Sequence, residues 1–233
     1  MGGKETRLRI LETSRRLFND HGTQAISTNH IAKDMGISPG NLYYHFKNKE
    51  EIIRTLLVHM FEEAKDRWYI ERSPAINDLL HLVQASWETL WEYRFFQREQ
   101  IALLERDAEL KQWYQATLVQ RQGELTRFFE RLVQSGVVLE PDDPTTLPAL
   151  VTTCWIVGEY WQSFLYLAGQ PVTARTIREG LRLIYQVVRP HLTEHARRKL
   201  SSFENVFHEE RLNKGLMAQT QNNSEHDKEN TDE

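Results

Sequence analysis

The spacing of apolar residues predicts an all-α chain. They recur at gaps of three and four from end to end and nowhere alternate with polar residues for long. Glycine, proline and Ser/Thr pairs interrupt the pattern where helices need caps and stops. With 233 residues, 40% of them hydrophobic and 27% charged, the chain has globular composition and length enough to bury a core without disulfides or structural metal.

The first helix, about 4 to 21, sets Leu8, Leu11, Arg15 and Phe18 in register and stops at Gly22. Ser27 and Thr28 cap a short helix that runs through Met35 and is broken by Gly36. Ser38 and Pro39 open another, to about Phe46. A long helix begins at Asn48 with Glu50 and Glu51 in its first turn, where the helix dipole favours acid. It runs to about Arg72, before Ser73-Pro74, and connects a small head to a larger body. The body reads as helices over about 75–94, 96–105, 108–135, 145–169, 173–189 and 192–213. Gly136, the Pro141 to Pro144 segment, Gly169 to Pro171 and Pro190 punctuate them. The expected organisation is a helix-turn-helix domain over 1–49, a helical ligand-binding and dimerisation domain over 50–213, and a disordered acidic tail over 214–233.

Charge and composition narrow the function classes. Residues 1–55 hold nine bases against six acids, a net of +3, so the rest of the chain carries −7 of the total −4. A basic head on an acidic body brings only one end towards a polyanion. The longest nearly apolar stretch, Leu147 to Gly158, is too short to span a bilayer, and the amino terminus carries no apolar segment of the signal-peptide kind. The lone cysteine, Cys154, sits in an apolar run and cannot form an intrachain disulfide, which fits a reducing compartment. The expected location is the cytoplasm, with no membrane partner and no cofactor.

Two short helices joined at Gly36 have the proportions of a helix-turn-helix, whose second helix fits the major groove of DNA. The first residues of that helix, Ser38, Pro39, Gly40 and Asn41, then lie closest to the bases. Asn41 can hydrogen-bond base edges, Gly40 lets the backbone approach, and Tyr44 offers a ring and a hydroxyl. Tyr43, His45 and Lys49 suit phosphates, as does Thr28 at a helix amino terminus, while Asn29 beside it can reach a base. On shape alone, the same segment is also a plain helical hairpin.

The detailed residues decide between these. Ile10, Leu17, Phe18, Gly22, Thr28, Ile31-Ala32, Gly36-Ile37-Ser38, Gly40, Leu42 to Phe46, Lys47-Asn48-Lys49 and Glu50 together resemble the signature of the TetR family of one-component transcription regulators. Met35 departs from the small residue many relatives carry, and Asn29 and Asn41 fall at variable reading positions. The resemblance implies a three-helix DNA-binding head, a connecting fourth helix and a helical regulatory body that dimerises.

In the body, the segment 87–166 holds 14 of the chain's 24 aromatic residues, the kind of side chain that lines small-molecule pockets and also ordinary cores. Trp87, Trp91, Trp113, Trp155 and, as a polar anchor, Glu159 are the candidate effector residues. The helices after Pro144 carry seams that include Leu150, Cys154, Gly158, Trp161 and Leu165, then Ile177, Leu181, Ile184 and Val188. A seam can pack within one chain or against a copy, and the resemblance favours the second, an isologous four-helix interface. His191 to His195 matches the H-x-x-E-H pattern of inverted zinc peptidases. It directly follows Pro190 and precedes a basic run, so no metal site is expected. The resulting expectation is a homodimeric repressor that binds a palindromic operator in double-stranded DNA and is released by a small apolar or aromatic effector. The alternative is a helical carrier or enzyme whose head is only a structural hairpin.

Overall fold

The computed structural model describes residues 2–68 and 73–200, which are helical apart from their connections and contain no strand. Helices α1 (Gly3–His21), α2 (Thr28–Met35) and α3 (Pro39–His45) form the head. After them come α4 (Lys49–Trp68), α5 (Ile76–Glu92), α6 (Arg94–Arg106), α7 (Ala108–Gln134), α8 (Thr146–Leu167) and α9 (Ala174–Val188). A 3₁₀ turn, Arg189–His191, leads into α10, which is described over 194–200. The expected helix beyond residue 200, the acidic tail over 214–233 and the end of the connecting helix near Arg72 lie outside the described residues. The one-residue break between the fifth and sixth helices, expected at Phe95, falls at Tyr93, which at φ −113° and ψ 29° ends α5 and starts α6.

One core joins the head to the upper body. Ile10, Phe18, Ile31, Leu42 and Phe46 from α1 to α3 and the following turn pack with Ile52 and Leu57 of α4, Phe95 and Phe96 of α6, and Leu110 and Tyr114 of α7. A second core lies lower, where Phe129 and Leu132 of α7 meet Leu147, Leu150 and Val151 of α8 and Val188 of α9.

Asp107 holds the α6–α7 corner to α4. Its carboxylate caps α7 by accepting the Leu110 N–H at 3.0 Å and accepts the Arg54 Nε–H at 2.6 Å. Burial alone would raise its pKa, but the bond from Arg54, the Leu110 N–H and the guanidinium charge hold it below the ordinary carboxylate range. A depressed carboxylate adds stability above its unfolded pKa of about 3.9 and loses it as pH falls through the lower folded value. Asp107→Ala is therefore expected to cost about 1–3 kcal/mol at pH 7 and to flatten the acid limb of stability below about pH 4, read by urea melts across pH.

Candidate nucleic-acid interface and effector cavity

The head is built to show one polar face. Ser27 caps α2, its Oγ accepting the His30 N–H at 3.3 Å while His30 Nδ1 accepts the Ser27 N–H at 3.3 Å. The chain then turns at Gly36, whose φ of +66° lies in the left-handed region that a side chain resists. Ser38 caps α3 by accepting the Asn41 N–H at 3.2 Å, with Pro39 in the first turn. Ile31, Ala32, Leu42 and Phe46 are buried and fix both helices against α1 and α4.

What remains outside is the expected reading surface. Ser38, Pro39, Gly40, Asn41 and Asn29 are exposed, Tyr43 is 49% exposed and Tyr44 85%, the most open aromatic among those in the head. Thr28 Oγ1 and the Tyr43 hydroxyl lie 2.9 Å apart, so the start of α2 and the face of α3 form one surface. The partly exposed His45 ring meets Tyr44 edge-on at 5.1 Å between centroids. Lys49 is placed differently from expectation. Its ammonium donates to the Thr23 and Ile26 carbonyls at 2.6 and 3.1 Å, tying the start of α4 to the α1–α2 loop. Lys49→Ala is thus expected to lower stability by about 1–3 kcal/mol, with little change in the salt slope of DNA binding. Gly40 offers a cleaner probe. A Cβ there would meet only Ser38 Oγ, at 3.9 Å, so Gly40→Ala fits the protein. It is expected to keep or slightly raise the melting temperature while weakening DNA binding, a combination that an internal packing role cannot produce.

A polar clamp that sequence reasoning missed ties this head to α6. Asn19 Nδ2–H donates to the Glu92 carbonyl at 2.8 Å, and Asn19 Oδ1 accepts the Phe95 N–H at 3.0 Å. Arg98 donates to the Phe18 and Asn19 carbonyls at 2.8 and 3.3 Å, and Glu99 accepts the Thr23 N–H at 3.1 Å and also binds its hydroxyl. These partners lie more than seventy residues apart, beyond the reach of any periodicity.

In the body, α4 to α9 enclose a cavity of about 150 Å³. Its wall is mostly apolar: Met60 and Phe61 of α4, Leu82 and Val83 of α5, Phe96 of α6, Phe129 of α7, Trp155 of α8 and Ile184 of α9. Of the five expected effector residues, Trp155 and Glu159 line it. The other three are used elsewhere. Trp87 Nε1–H donates to the Ala174 carbonyl at 3.4 Å under the Arg178 guanidinium, Trp91 carries Arg94 over its ring, and Trp113 packs edge-on to Phe61 against the upper core. Among the described residues Glu159 is the one acid in the wall. Gln100 Nε2–H donates to its Oε2 at 3.0 Å, and burial pushes its pKa up to about 7. A carboxyl with a raised folded pKa favours the folded state most at low pH. The ligand-free protein should therefore lose stability as pH climbs from about 4.5 towards 7, and Glu159→Gln should remove that slope in thermal melts.

The expected dimer seam requires correction. Leu150, Leu165, Ile177, Leu181 and Val188 are buried within the single chain, and Cys154, Gly158, Leu181, Ile184 and Val188 line the cavity. Trp161 also faces inward: its Nε1–H donates to the Thr176 carbonyl at 2.7 Å, and its ring lies so close to Gly180 that a Cβ there would meet Cδ1 at 2.5 Å. These residues pack inside one protomer, Leu150 with Phe129 and Leu132 of α7 and Trp161 against α9. The opposite face of α8 is the open one, with Ile156 53%, Tyr160 48%, Phe164 58% and Leu167 83% exposed at helical spacing.

The H-x-x-E-H pattern does not form one helix, since His191 ends the 3₁₀ turn and His195 sits on α10, where Glu194 pairs with Arg198. No cluster of three or more metal-ligating side chains occurs among the described residues, and none of their helices is long and apolar enough to cross a membrane.

A capped helix-turn-helix with an exposed polar second helix, braced by two connections to a cavity-bearing helical body, defines a DNA-binding regulator. Comparison with known proteins gives the family. Residues 10–56 match the bacterial regulatory proteins of the tetR family, and residues 56–200 match a family described as bacterial transcriptional repressor. A TetR-family transcriptional regulator from Marinobacter aquaeolei VT8 is 31% identical, with a TM-score of 0.78 over 89% of this chain and 99% of that one. An HTH-type transcriptional regulator of Staphylococcus aureus (strain USA300) is 28% identical over 139 residues, 57% of this chain and 69% of the relative. The ketosteroid transcriptional regulator KstR2 of Mycobacterium tuberculosis shares the fold at 22% identity, with a TM-score of 0.58 over 81% of this chain and 96% of that one. The chain belongs to the TetR family of bacterial transcriptional regulators.

Proposed function

We propose that this regulator is a cytoplasmic repressor. As a homodimer it binds a near-palindromic operator, and it leaves DNA when a small apolar effector enters the α4–α9 cavity. The observation that carries the reading is the joint presence of a solvent-facing α3 surface and a cavity whose walls share helices with the supports of that surface. Asn29, Asn41 and Tyr44 read base edges, Gly40 lets α3 approach, and Thr28, Ser38, Pro39, Tyr43 and His45 contact the backbone. The functional division falls near residue 49, with the head reading and the body sensing, although their core is continuous. The matching family description, bacterial transcriptional repressor, supports negative regulation.

The dimer forms through the open face of α8, Ile156, Tyr160, Phe164 and Leu167, joined by Leu183 of α9, which is 43% exposed. Contiguous apolar surface of this kind marks interaction sites. Two heads then meet half-sites about one helical turn, roughly 34–36 Å, apart.

Release follows from the two supports of the head. Phe96 and Gln97 of α6 and Met60 and Phe61 of α4 line the cavity, while Arg98 and Glu99 of α6 and Lys49 of α4 hold the α1–α2 region. An effector that prefers the arrangement in which the heads are wrongly spaced shifts the population off DNA, and one with equal affinity for both shifts nothing. Operator DNA must in turn weaken effector binding by the same factor. Transcription in vitro from a promoter carrying the operator tests the sign of regulation. Added protein should lower transcript, and a rise in transcript would make the chain an activator.

A further inference from the structure

We propose that the cavity's effector is a small apolar amine whose ammonium group docks on the Glu159 carboxylate while its hydrocarbon part fills the apolar wall. This rests on the cavity being the effector site. Beside the Gln97 amide, the wall presents acceptors at Ser86, Thr89 and Glu159. Ser86 spends its hydroxyl proton on the Leu82 carbonyl at 2.7 Å and Thr89 spends its own on the Ala85 carbonyl at 3.0 Å, so each offers the space a lone pair. Glu159 offers a carboxylate, one oxygen of which is fixed by Gln100, itself bonded to the Tyr114 hydroxyl at 2.5 Å. Among the described residues neither lysine, arginine nor histidine lines the cavity, so a bound cation meets no like charge from them and a bound anion no charged partner. An ammonium supplies three N–H donors and a positive charge, which is what one carboxylate beside hydroxyl acceptors can satisfy. The volume, about 150 Å³, is the size that takes one aromatic ring.

Burial leaves Glu159 titrating at about 7, so an arriving cation draws a proton off it and amine affinity rises with pH through neutrality. Among the described residues, Tyr160 beside Glu159 lies near this region, and Tyr114 of α7 and Cys154 of α8 face it. Burial raises Tyr114 and Cys154, Cys154 to about 11, so these two stay neutral through that range. Among the described residues, the cavity walls from α4, α5, α6 and α9 bring no ionisable side chain.

The probes are 2-phenylethylamine, 2-phenylethanol and phenylacetate, close in shape and different in charge, titrated calorimetrically into the full-length protein. At about pH 8 the amine should bind about tenfold tighter than the alcohol, because a charged hydrogen bond replaces a neutral one, and phenylacetate should bind worst. Glu159→Gln should erase the amine's advantage and leave the alcohol's affinity unchanged, and at about pH 6.5, where Glu159 is still largely protonated, wild-type amine binding should release protons when measured in two buffers of different ionisation enthalpy. Equal affinity for amine and alcohol, or an amine preference that survives Glu159→Gln, overturns the amine assignment while leaving the cavity as the effector site. No binding of any of the three overturns both.

Discussion

Glutamate at both Ile156 and Phe164 is expected to yield a folded monomer of 27.5 kDa whose operator affinity falls by about 10²- to 10⁴-fold. Both side chains are more than half exposed in the protomer, so charge there leaves the core alone and acts only on the surface between copies. A monomer carries one reading head, and the gain from tethering two heads disappears. Sedimentation equilibrium and circular dichroism read the two parts separately. Leu181→Glu makes the contrast, because Leu181 is 6% exposed and lines the cavity, so a charge there should unfold the body instead of splitting a dimer. A double variant that remains dimeric would move the interface away from α8.

Phe95→Ala should be among the most destabilising single substitutions, at about 3–5 kcal/mol. Phe95 is fully buried, its ring 5.5 Å from that of Phe18, and its backbone N–H is held by Asn19 at the α1–α6 clamp. Removing the ring opens a void inside the core that head and upper body share, so chemical denaturation should show the whole described fold weakening in one transition. Loss confined to the body, with an undisturbed head, would mean that the two cores are energetically separate.

Local signals made the elements legible. Asp107 and Gly136 bracket α7, and the expected 108–135 differs from Ala108–Gln134 by one residue. The head was legible to the level of its caps, because Ser27, Gly36 and Ser38 act on neighbours in the chain. What sequence could not give is which side of an apolar helix meets its own chain. α8 carries large apolar residues nearly all round, so periodicity found a seam at Leu150 and Leu165, with Leu181 on α9, and could not tell an internal contact from an external one. The α1–α6 clamp and the Lys49 bridge were hidden for a related reason: polar side chains such as Asn19, Glu99 and Lys49 read as surface until distant carbonyls are brought to them. Among the aromatics, composition identified the right region of the chain but not Trp155 over Trp87, since only packing shows which rings border empty space.

The central claim is that α3 reads DNA sequence for a two-headed protein, and selection of bound sites from random double-stranded DNA tests it most directly. The wild-type protein should enrich a near-palindromic site with half-sites about one helical turn apart. Asn41→Ala should relax the preference at the same position of each half-site and cost about 1–3 kcal/mol on the wild-type site by fluorescence anisotropy. Enrichment of no sequence by the folded dimer, or an enriched site that Asn41→Ala and Tyr44→Ala leave unchanged in sequence and affinity, would contradict it.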